Sequence, residues 1–204
     1  MEKNYTITYS GSMDDKSIME TIERAKEGLP RFPEGHELEG VIDYTHAKEA
    51  PTLTAFVKYH NELLLLQRSS KMNNALKWSP VLGFLDEKVL AYKKIEEELT
   101  EELSLPLSAI SNIHYGARQD YFDEAAGKTW LRHSFIVDLK EKPDITLDWE
   151  HQDYVWIKRD ELENKAELLP GLLENWESAQ EGYNYTWAVP ITDFLRYWSE
   201  GDIF

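Results

Sequence analysis

The sequence predicts an α/β or α+β domain built on a mixed β-sheet, with an extension at each end. Three observations lead to this prediction. The 204 residues are enough for one domain with a substantial core. Strand-like runs alternate with segments of helical periodicity, and near Pro51 the sequence changes from a loop-like pattern to strand-like runs. Because 42% of the residues are hydrophobic, general disorder is excluded.

The first fifty residues are predicted to form an N-terminal extension packed on the core. Residues 5–9 are rich in β-branched and aromatic side chains, which favours a short strand. Ser12 followed by Asp15 resembles a capping box, and apolar residues at helical spacing continue to Gly28, which predicts a helix. Residues 29–50 indicate a loop with one strand near Val41 and Ile42.

Residues 51–168 are predicted to form the main domain. It contains two pairs of strands, each pair joined by a turn, at residues 52–58 and 63–68 and at residues 113–122 and 129–139. A short extended segment at residues 80–82 is expected to end at Gly83. The clearest helical pattern covers residues 90–103, and a further strand is predicted at residues 153–158.

The C-terminal part of the chain is predicted to be helical and aromatic. Helical patterns cover residues 159–167, 169–180 and 191–199, and residues 169–204 are read as a C-terminal extension. Its aromatic residues favour packing on its own domain, a substrate pocket or a homodimer surface: Trp176, Tyr183, Tyr185, Trp187, Tyr197 and Trp198.

Charge and composition exclude several classes of function. Lysine and arginine number 22 and aspartate and glutamate 38, so the net charge is −16, and a stable role on duplex DNA is not expected. The absence of cysteine excludes disulfides, zinc–thiolate sites and a cysteine nucleophile. The N-terminal residues are polar and no apolar run could span a bilayer, so the expected location is cytoplasmic, with no membrane partner.

The helix predicted at residues 90–103 carries an unusual cluster of carboxylates. At 100° per residue, Glu98, Glu101 and Glu102 fall within an arc of about 100°, at the edge of the stripe expected to face the core. Carboxylates so spaced repel one another, and a divalent cation would remove the repulsion. Hard oxygen ligands suit Mg²⁺ or Mn²⁺.

The segment from Gly83 to Leu105 resembles the signature of the Nudix hydrolase family. That signature is a glycine, five residues, a glutamate, seven residues, and then Arg-Glu-apolar-any-Glu-Glu-any-Gly-apolar. The spacing agrees throughout, and the residues of this chain that occupy their expected positions are Gly83, Glu98, Leu99, Glu101, Glu102 and Leu105. In the order of its predicted elements, the resemblance extends over about residues 52–165.

The resemblance implies an α/β/α sandwich and a pyrophosphohydrolase that acts on a nucleotide substrate. It implies that Glu98, Glu101 and Glu102 bind Mg²⁺ or Mn²⁺, and that Glu101 and Glu150 are catalytic. Glu150 lies in a segment similar to one that follows the signature in several Nudix branches, where a glutamate approaches the metals. Four further residues are expected to bind substrate: Arg68, Trp78, Gly83 and Arg132.

Three positions depart from the signature. Val89 stands where the family has its first glutamate, Glu97 where it has the arginine, and Ser104 where it has the final glycine. The family resemblance implies that the missing glutamate and arginine would have braced the loop against the helix. Loss of both partners together is close to neutral, so the fold and metal site are expected to persist.

Three other functions remain as alternatives. The altered positions favour a Nudix-fold module that binds a nucleotide or protein without turnover. An isoprenyl diphosphate isomerase shares the fold, but such enzymes generally depend on a catalytic cysteine, which is absent here. A role in mRNA decapping is disfavoured because no basic tract would guide RNA. The substrate stays open among ADP-ribose, a nucleotide sugar, a dinucleoside polyphosphate and a nucleoside triphosphate.

Overall fold

A mixed eight-stranded β-sheet forms the centre of the computed structural model, which describes residues 5–181 and 183. The strands are β1 (Thr6–Tyr9), β2 (Glu49–Tyr59), β3 (Glu62–Arg68), β4 (Trp78–Ser79), β5 (Val81–Phe84), β6 (Ile110–Asp123), β7 (Lys128–Leu139) and β8 (His151–Lys158). The α-helices are α1 (Asp15–Lys26), α2 (Ala91–Leu103), α3 (Arg159–Leu162) and α4 (Leu172–Gln180). A short 3₁₀-helix covers Leu107–Ala109.

The strand order is β1-β6-β7-β2-β3-β4, with β5 added to β2 and β8 added to β3. The pairs β1–β6 and β2–β7 are parallel, and the other pairs are antiparallel. Strand β2 is therefore central, because β7 pairs along most of its length while β5 and β3 share its other edge.

Alternation of side chains along the strands creates two cores. On β2, Leu53, Ala55 and Val57 face the core that α1 and α2 cover, whereas Phe56 faces the core that α3 and α4 cover. On β3, Leu64 and Leu66 likewise oppose Leu63 and Leu65. Helices therefore cover both faces of the sheet, which confirms the predicted α/β/α sandwich.

Helix α1 packs on the same face as α2 through Ile18 and Ile22. Its N-cap is Asp14, whose side chain accepts from the Ser17 N–H while the Ser17 hydroxyl accepts from the Asp14 N–H. The predicted capping box was therefore placed two residues too early, at Ser12. Among residues 29–50, the predicted strand is reduced to an isolated antiparallel bridge between Arg31 and Ile42.

The structure differs from the sequence prediction at three other places. Strand β5 runs through Gly83 to Phe84 instead of ending at the glycine. The helix predicted at residues 159–167 is reduced to the four residues of α3, in which Leu162 is the buried residue. Helix α4 begins three residues later than predicted because Gly171 precedes it in a left-handed conformation, with φ 72°.

The C-terminal prediction can be followed only in part. Trp176 on α4 and Tyr183 pack against the second core. The helix predicted at residues 191–199 lies outside the described residues, as do Tyr185, Trp187, Tyr197 and Trp198. The domain bounds 51–168 and the two extensions stay predictions. Within the described part of the chain, no helix combines the length and the apolar character needed to cross a bilayer.

Candidate active site

Glu98 of α2 lies directly against Gly83 of β5. A Cβ built on Gly83 would lie 2.4 Å from Glu98 Oε1 and 2.9 Å from Glu98 Cγ, closer than real contacts allow. Glycine at position 83 therefore makes room for the carboxylate, and the pairing of β5 with β2 fixes the strand beneath it. The first two predicted site positions of the signature thus meet in space.

Glu98 is largely buried, with 13% of its side chain exposed. Burial raises the pKa of Glu98 to about 7, although the positive charge of Lys94 acts to lower it. Lys94 Nζ lies 3.4 Å from Glu98 Oε1 and 3.6 Å from the exposed Glu97. Burial would lower the pKa of Lys94, but Glu98 and Asp86 raise it overall. Lys94 thus supplies a positive charge beside the position where the signature arginine is missing.

Glu102, one turn further along α2, is 5% exposed. Burial raises the pKa of Glu102 well above its ordinary value, and the charge of Glu98 raises it further. Its Oε2 atom has no hydrogen-bond partner among the described residues. His151 Nδ1, at 3.8 Å, is too distant for a hydrogen bond. A buried carboxylate oxygen without a partner is costly unless a cation or water satisfies it.

Glu101, between these two on the helix, is exposed. Its negative charge contributes to the raised pKa values of Glu98 and Glu150. The three glutamates therefore lie at the border of the buried face of α2, in agreement with the helical arc that the sequence predicts.

The loop that enters β8 brings Glu150 to the same place. The Asp148 N–H donates to Glu102 O at 3.2 Å, and the Ser69 N–H donates to Glu150 O at 2.7 Å, so the loop is attached to both α2 and the end of β3. Asp148 Oδ1 accepts from the Glu150 N–H at 3.0 Å. Burial, followed by the charge of Asp148, raises the pKa of the Glu150 carboxyl.

His151 is a buried loop residue that faces Asp148. Its Nδ1 faces Asp148 Oδ1 at 3.4 Å, and burial lowers its pKa, which favours the neutral ring. This agrees with the interpretation of His151 as a hydrogen-bonding loop residue.

Arg68, at the end of β3, places its positive charge among these carboxylates. It lowers the pKa of both Glu150 and Glu102, while burial lowers the pKa of Arg68 itself. Its Nε donates to Asn73 O at 2.7 Å, which holds the guanidinium stem. Arg68 is therefore close enough to act electrostatically on both glutamates, and its contact with a substrate phosphate stays a prediction.

A divalent cation is the ligand that the sequence predicts for these carboxylates. In the described part of the chain, no three Asp, Glu or His side chains are arranged as a complete metal site. Lys94 instead lies beside Glu98, and Glu102 Oε2 is left without a partner. Several oxygens that lose water and repel one another are what a hard, doubly charged ion would satisfy, so the residues fit Mg²⁺ or Mn²⁺.

The remaining predicted substrate residues lie among other groups. Arg132 stacks over the Tyr121 ring, 4.1 Å from its centroid, and donates to Pro170 O and Gly171 O at 3.3 Å. The charges that act on it include Asp123 and Glu174 but none of the glutamates above. On β4, the Trp78 ring carries Lys165 Nζ 4.0 Å from its centroid. Substrate contacts by Arg132 and Trp78 stay predictions.

Ser104 ends α2 in the left-handed conformation, with φ 51° and ψ 31°. The helix therefore retains the left-handed ending that normally requires glycine. Val89 is half-buried and Glu97 is exposed, so neither leaves an unpaired charge in the interior.

Sequence reasoning missed two acidic residues of the site, Asp148 and Asp86. Asp148 accepts a hydrogen bond from the Glu150 N–H and so orients that loop. Asp86 lies close to Lys94, and burial raises the pKa of Asp86. Neither belongs to a repeating pattern, and in a chain with 38 acidic residues single aspartates in loops carry no signal.

Comparison with known proteins identifies one family. The model of the NUDIX domain matches residues 48–176, more than half of the chain. No curated protein sequence matches this chain.

Solved structures share the fold at low sequence identity. A MutT protein from Methanosarcina mazei Go1 is 20% identical, with 66% of this chain and 95% of that one covered and a TM-score of 0.53. The NUDIX domain of Shewanella oneidensis NrtR, complexed with ADP ribose, is 15% identical, with 73% and 97% covered and a TM-score of 0.55. A bifunctional NMN adenylyltransferase/ADP ribose pyrophosphatase from Francisella tularensis, complexed with AMP and Mn ion, is 17% identical, with 81% and 46% covered and a TM-score of 0.53.

Proposed function

The chain belongs to the Nudix family of hydrolases, and on that premise we propose that it hydrolyses a diphosphate bond in a nucleoside diphosphate linked to another group, with the help of Mg²⁺ or Mn²⁺. The observation that carries the proposal is the convergence of buried carboxylates with raised pKa values, Glu98 and Glu102, on Glu150 and Arg68. Such a cluster costs stability in the absence of a cation, which favours a functional origin.

Glu98, Glu101 and Glu102 would hold the cation. A divalent ion bound there supplies positive charge to phosphate oxygens and makes a water molecule more acidic. The strongly negative protein can then accept an anionic substrate, because the ion reverses the sign of the local field.

Glu150 is the proposed base for the attacking water. The water oxygen forms a bond to one phosphorus, its proton passes to the Glu150 carboxylate, and the P–O bond to the bridging oxygen breaks. The bridging oxygen leaves with the second phosphate. The raised pKa of Glu150 suits a proton acceptor that works near neutral pH. Glu101, exposed beside it, is the other candidate for this role.

Arg68 is proposed to neutralise a substrate phosphate, because a bound cation would neutralise the carboxylates in its place. Its charge already acts on Glu102 and Glu150, so the guanidinium lies within the site. Gly83 contributes by leaving space for Glu98. All these groups come from one chain.

The proposed substrate class is supported by the family and by two structures that share the fold. One is a NUDIX domain complexed with ADP ribose and the other includes an ADP ribose pyrophosphatase complexed with AMP and Mn ion. ADP-ribose therefore leads the panel, followed by nucleotide sugars, dinucleoside polyphosphates and nucleoside triphosphates. Cytoplasmic nucleotides of these classes would be the physiological substrates.

The test is a substrate screen with Mg²⁺ or Mn²⁺ and with product identification. Release of a nucleoside monophosphate or orthophosphate is expected, and its loss with EDTA would establish the metal requirement. Glu101→Gln combined with Glu102→Gln should abolish turnover, and full activity in this variant would falsify the assigned roles. Glu150→Gln should lower kcat by about 10²-fold or more while Mn²⁺ binding is retained, since a base and a ligand differ in this respect. Glu20→Gln, an exposed change on α1, is the control.

The second candidate is a module that binds a nucleotide without turnover. The altered positions Val89, Glu97 and Ser104 favour it. Metal-independent nucleotide binding by calorimetry, with no product after hours, would replace the hydrolase proposal with this one.

A further inference from the structure

The loop between Gly83 and α2 is held by the first fifty residues of the chain. Three successive carbonyl groups of residues 85–87 accept hydrogen bonds from this segment. The Tyr44 hydroxyl donates to Leu85 O at 2.9 Å, and the Ile42 N–H donates to Asp86 O at 3.3 Å. The third donor, Lys26 Nζ, lies 2.7 Å from Glu87 O.

The donors are buried, so water does not compete for these hydrogen bonds. Tyr44 is 6% exposed, and 2% of the Lys26 side chain is exposed. A buried ammonium is costly unless it is paired, and Lys26 is paired with the Glu87 carbonyl and with Glu23 at 2.7 Å. The Tyr44 ring also stacks on Phe84, with centroids 5.9 Å apart. Tyr44 therefore contacts the chain immediately after Gly83.

The 85–87 segment is connected to the carboxylates through two residues, Gly83 and Asp86. Gly83, two residues before it, lies against Glu98. Asp86, within it, raises the pKa of Lys94, the lysine that lies 3.4 Å from Glu98. A shift of this segment would therefore move the surface under Glu98 and the charge beside it.

We propose that Tyr44 and Lys26 are positioning residues of the active site, which hold the 85–87 segment and through it Gly83 and Glu98. Val89 and Glu97 cannot form a charged pair between loop and helix, so the brace comes from a different part of the chain. The effects on turnover and on Mn²⁺ binding rest on the proposed function, whereas the effect on the loop does not.

The test compares two tyrosine variants that each lose one buried hydroxyl. Tyr44→Phe removes the bond to Leu85 O. Tyr115→Phe removes a bond to His133 Nδ1 at 3.2 Å, in the core below β6, and serves as the matched control. Lys26→Met, which keeps most of the aliphatic stem, removes the third bond of the brace.

Three quantities are measured. In Tyr44→Phe and Lys26→Met, amide hydrogen exchange of residues 85–90 should become about tenfold faster, as expected for the loss of one buried hydrogen bond. Mn²⁺ affinity and kcat should each fall about tenfold, with KM within about twofold of wild type, because displaced ligands act on the reacting centre. Tyr115→Phe should change none of these.

Unchanged exchange and Mn²⁺ affinity in both brace variants would overturn the proposal, as would an equal fall in Tyr115→Phe. If the wild-type protein hydrolyses none of the panel, the proposed function fails by itself. The exchange measurement then still decides whether Tyr44 and Lys26 hold the 85–87 segment.

Discussion

The side chain of Glu98 occupies the space that a Cβ at Gly83 would need, since the two would be only 2.4 Å apart at Glu98 Oε1. The three nearest atoms to such a Cβ all belong to the Glu98 side chain and none to the backbone. The space at this glycine is thus taken by the Glu98 carboxylate, and the strand continues through the position.

Gly83→Ala is therefore expected to displace Glu98 while the fold is kept. Mn²⁺ affinity should fall about tenfold or more, with Tm within about 3 °C of wild type. A double-mutant cycle provides the control: in a Glu98→Ala background the same change should cost no further affinity. Equal losses in both backgrounds would show that the alanine acts through the backbone instead.

Glu102→Gln is expected to stabilise the metal-free protein and to remove its stabilisation by metal. The substitution takes away a buried carboxylate that faces Glu98, Glu150 and Asp148. Wild-type protein at 100 times the Kd of Mn²⁺ should gain about 2.7 kcal/mol, or roughly 5–10 °C in Tm. The variant should gain much less, whereas the exposed Glu20→Gln on α1 should respond like wild type. A full metal response in Glu102→Gln would exclude it as a ligand.

Ser104→Gly is expected to raise stability by about 1 kcal/mol, because Ser104 holds a left-handed conformation that only glycine adopts without strain. The backbone N–H at position 104 donates to Thr100 O and is present in both serine and glycine, so the helix end is unchanged. Ser108→Gly, in the 3₁₀-helix Leu107–Ala109, is the matched control and should be neutral or destabilising. Urea unfolding measures both; a destabilised Ser104→Gly would contradict the assignment of strain.

His133 predicts a dependence of stability on pH that is independent of the metal site. Burial, with a smaller effect of Arg118, lowers its pKa from 6.5 to about 3. Between pH 6.5 and about pH 3, His133 is protonated in the unfolded chain but neutral in the folded protein. The free energy of unfolding is therefore highest above pH 6.5 and falls toward pH 3. The contribution is roughly 1.4 kcal/mol for each pH unit in that window.

The measurement is the free energy of unfolding between pH 7 and pH 4. His133→Gln, whose side-chain oxygen can still accept from the Tyr115 hydroxyl, should show a shallower loss of stability than wild type. His46→Gln, an exposed change, should leave the slope as it is. Identical slopes for wild type and His133→Gln would refute the prediction.

Local patterns predicted the parts of this protein that repeat regularly. Helix α2 was predicted to within one residue at its start because Tyr92, Ile95 and Leu99 recur at helical spacing. The position of the glutamates at the edge of its buried face followed from the same geometry. Elements with little periodicity were predicted less well: α3 is four residues long and buries Leu162 alone.

The brace around residues 85–87 was beyond sequence reasoning for a physical reason. Its donors Lys26, Ile42 and Tyr44 come from a helix end and an irregular segment, and its acceptors are backbone carbonyls that every residue possesses. No residue type or spacing marks such a contact. Gly83 was recognised from the signature, but the strand was expected to end there because a glycine usually weakens a strand.

The parallel pairing of β1 with β6 sets an order in which the chain is assembled. Thr6 lies opposite Asn112 and Tyr9 opposite Tyr115, more than a hundred residues later. During synthesis the earlier strand emerges first and must wait for its neighbour, and closing so long a loop is slow. The segment translated early can thus pair only after the β6 stretch has left the ribosome, and the loop that carries Glu150 emerges later still.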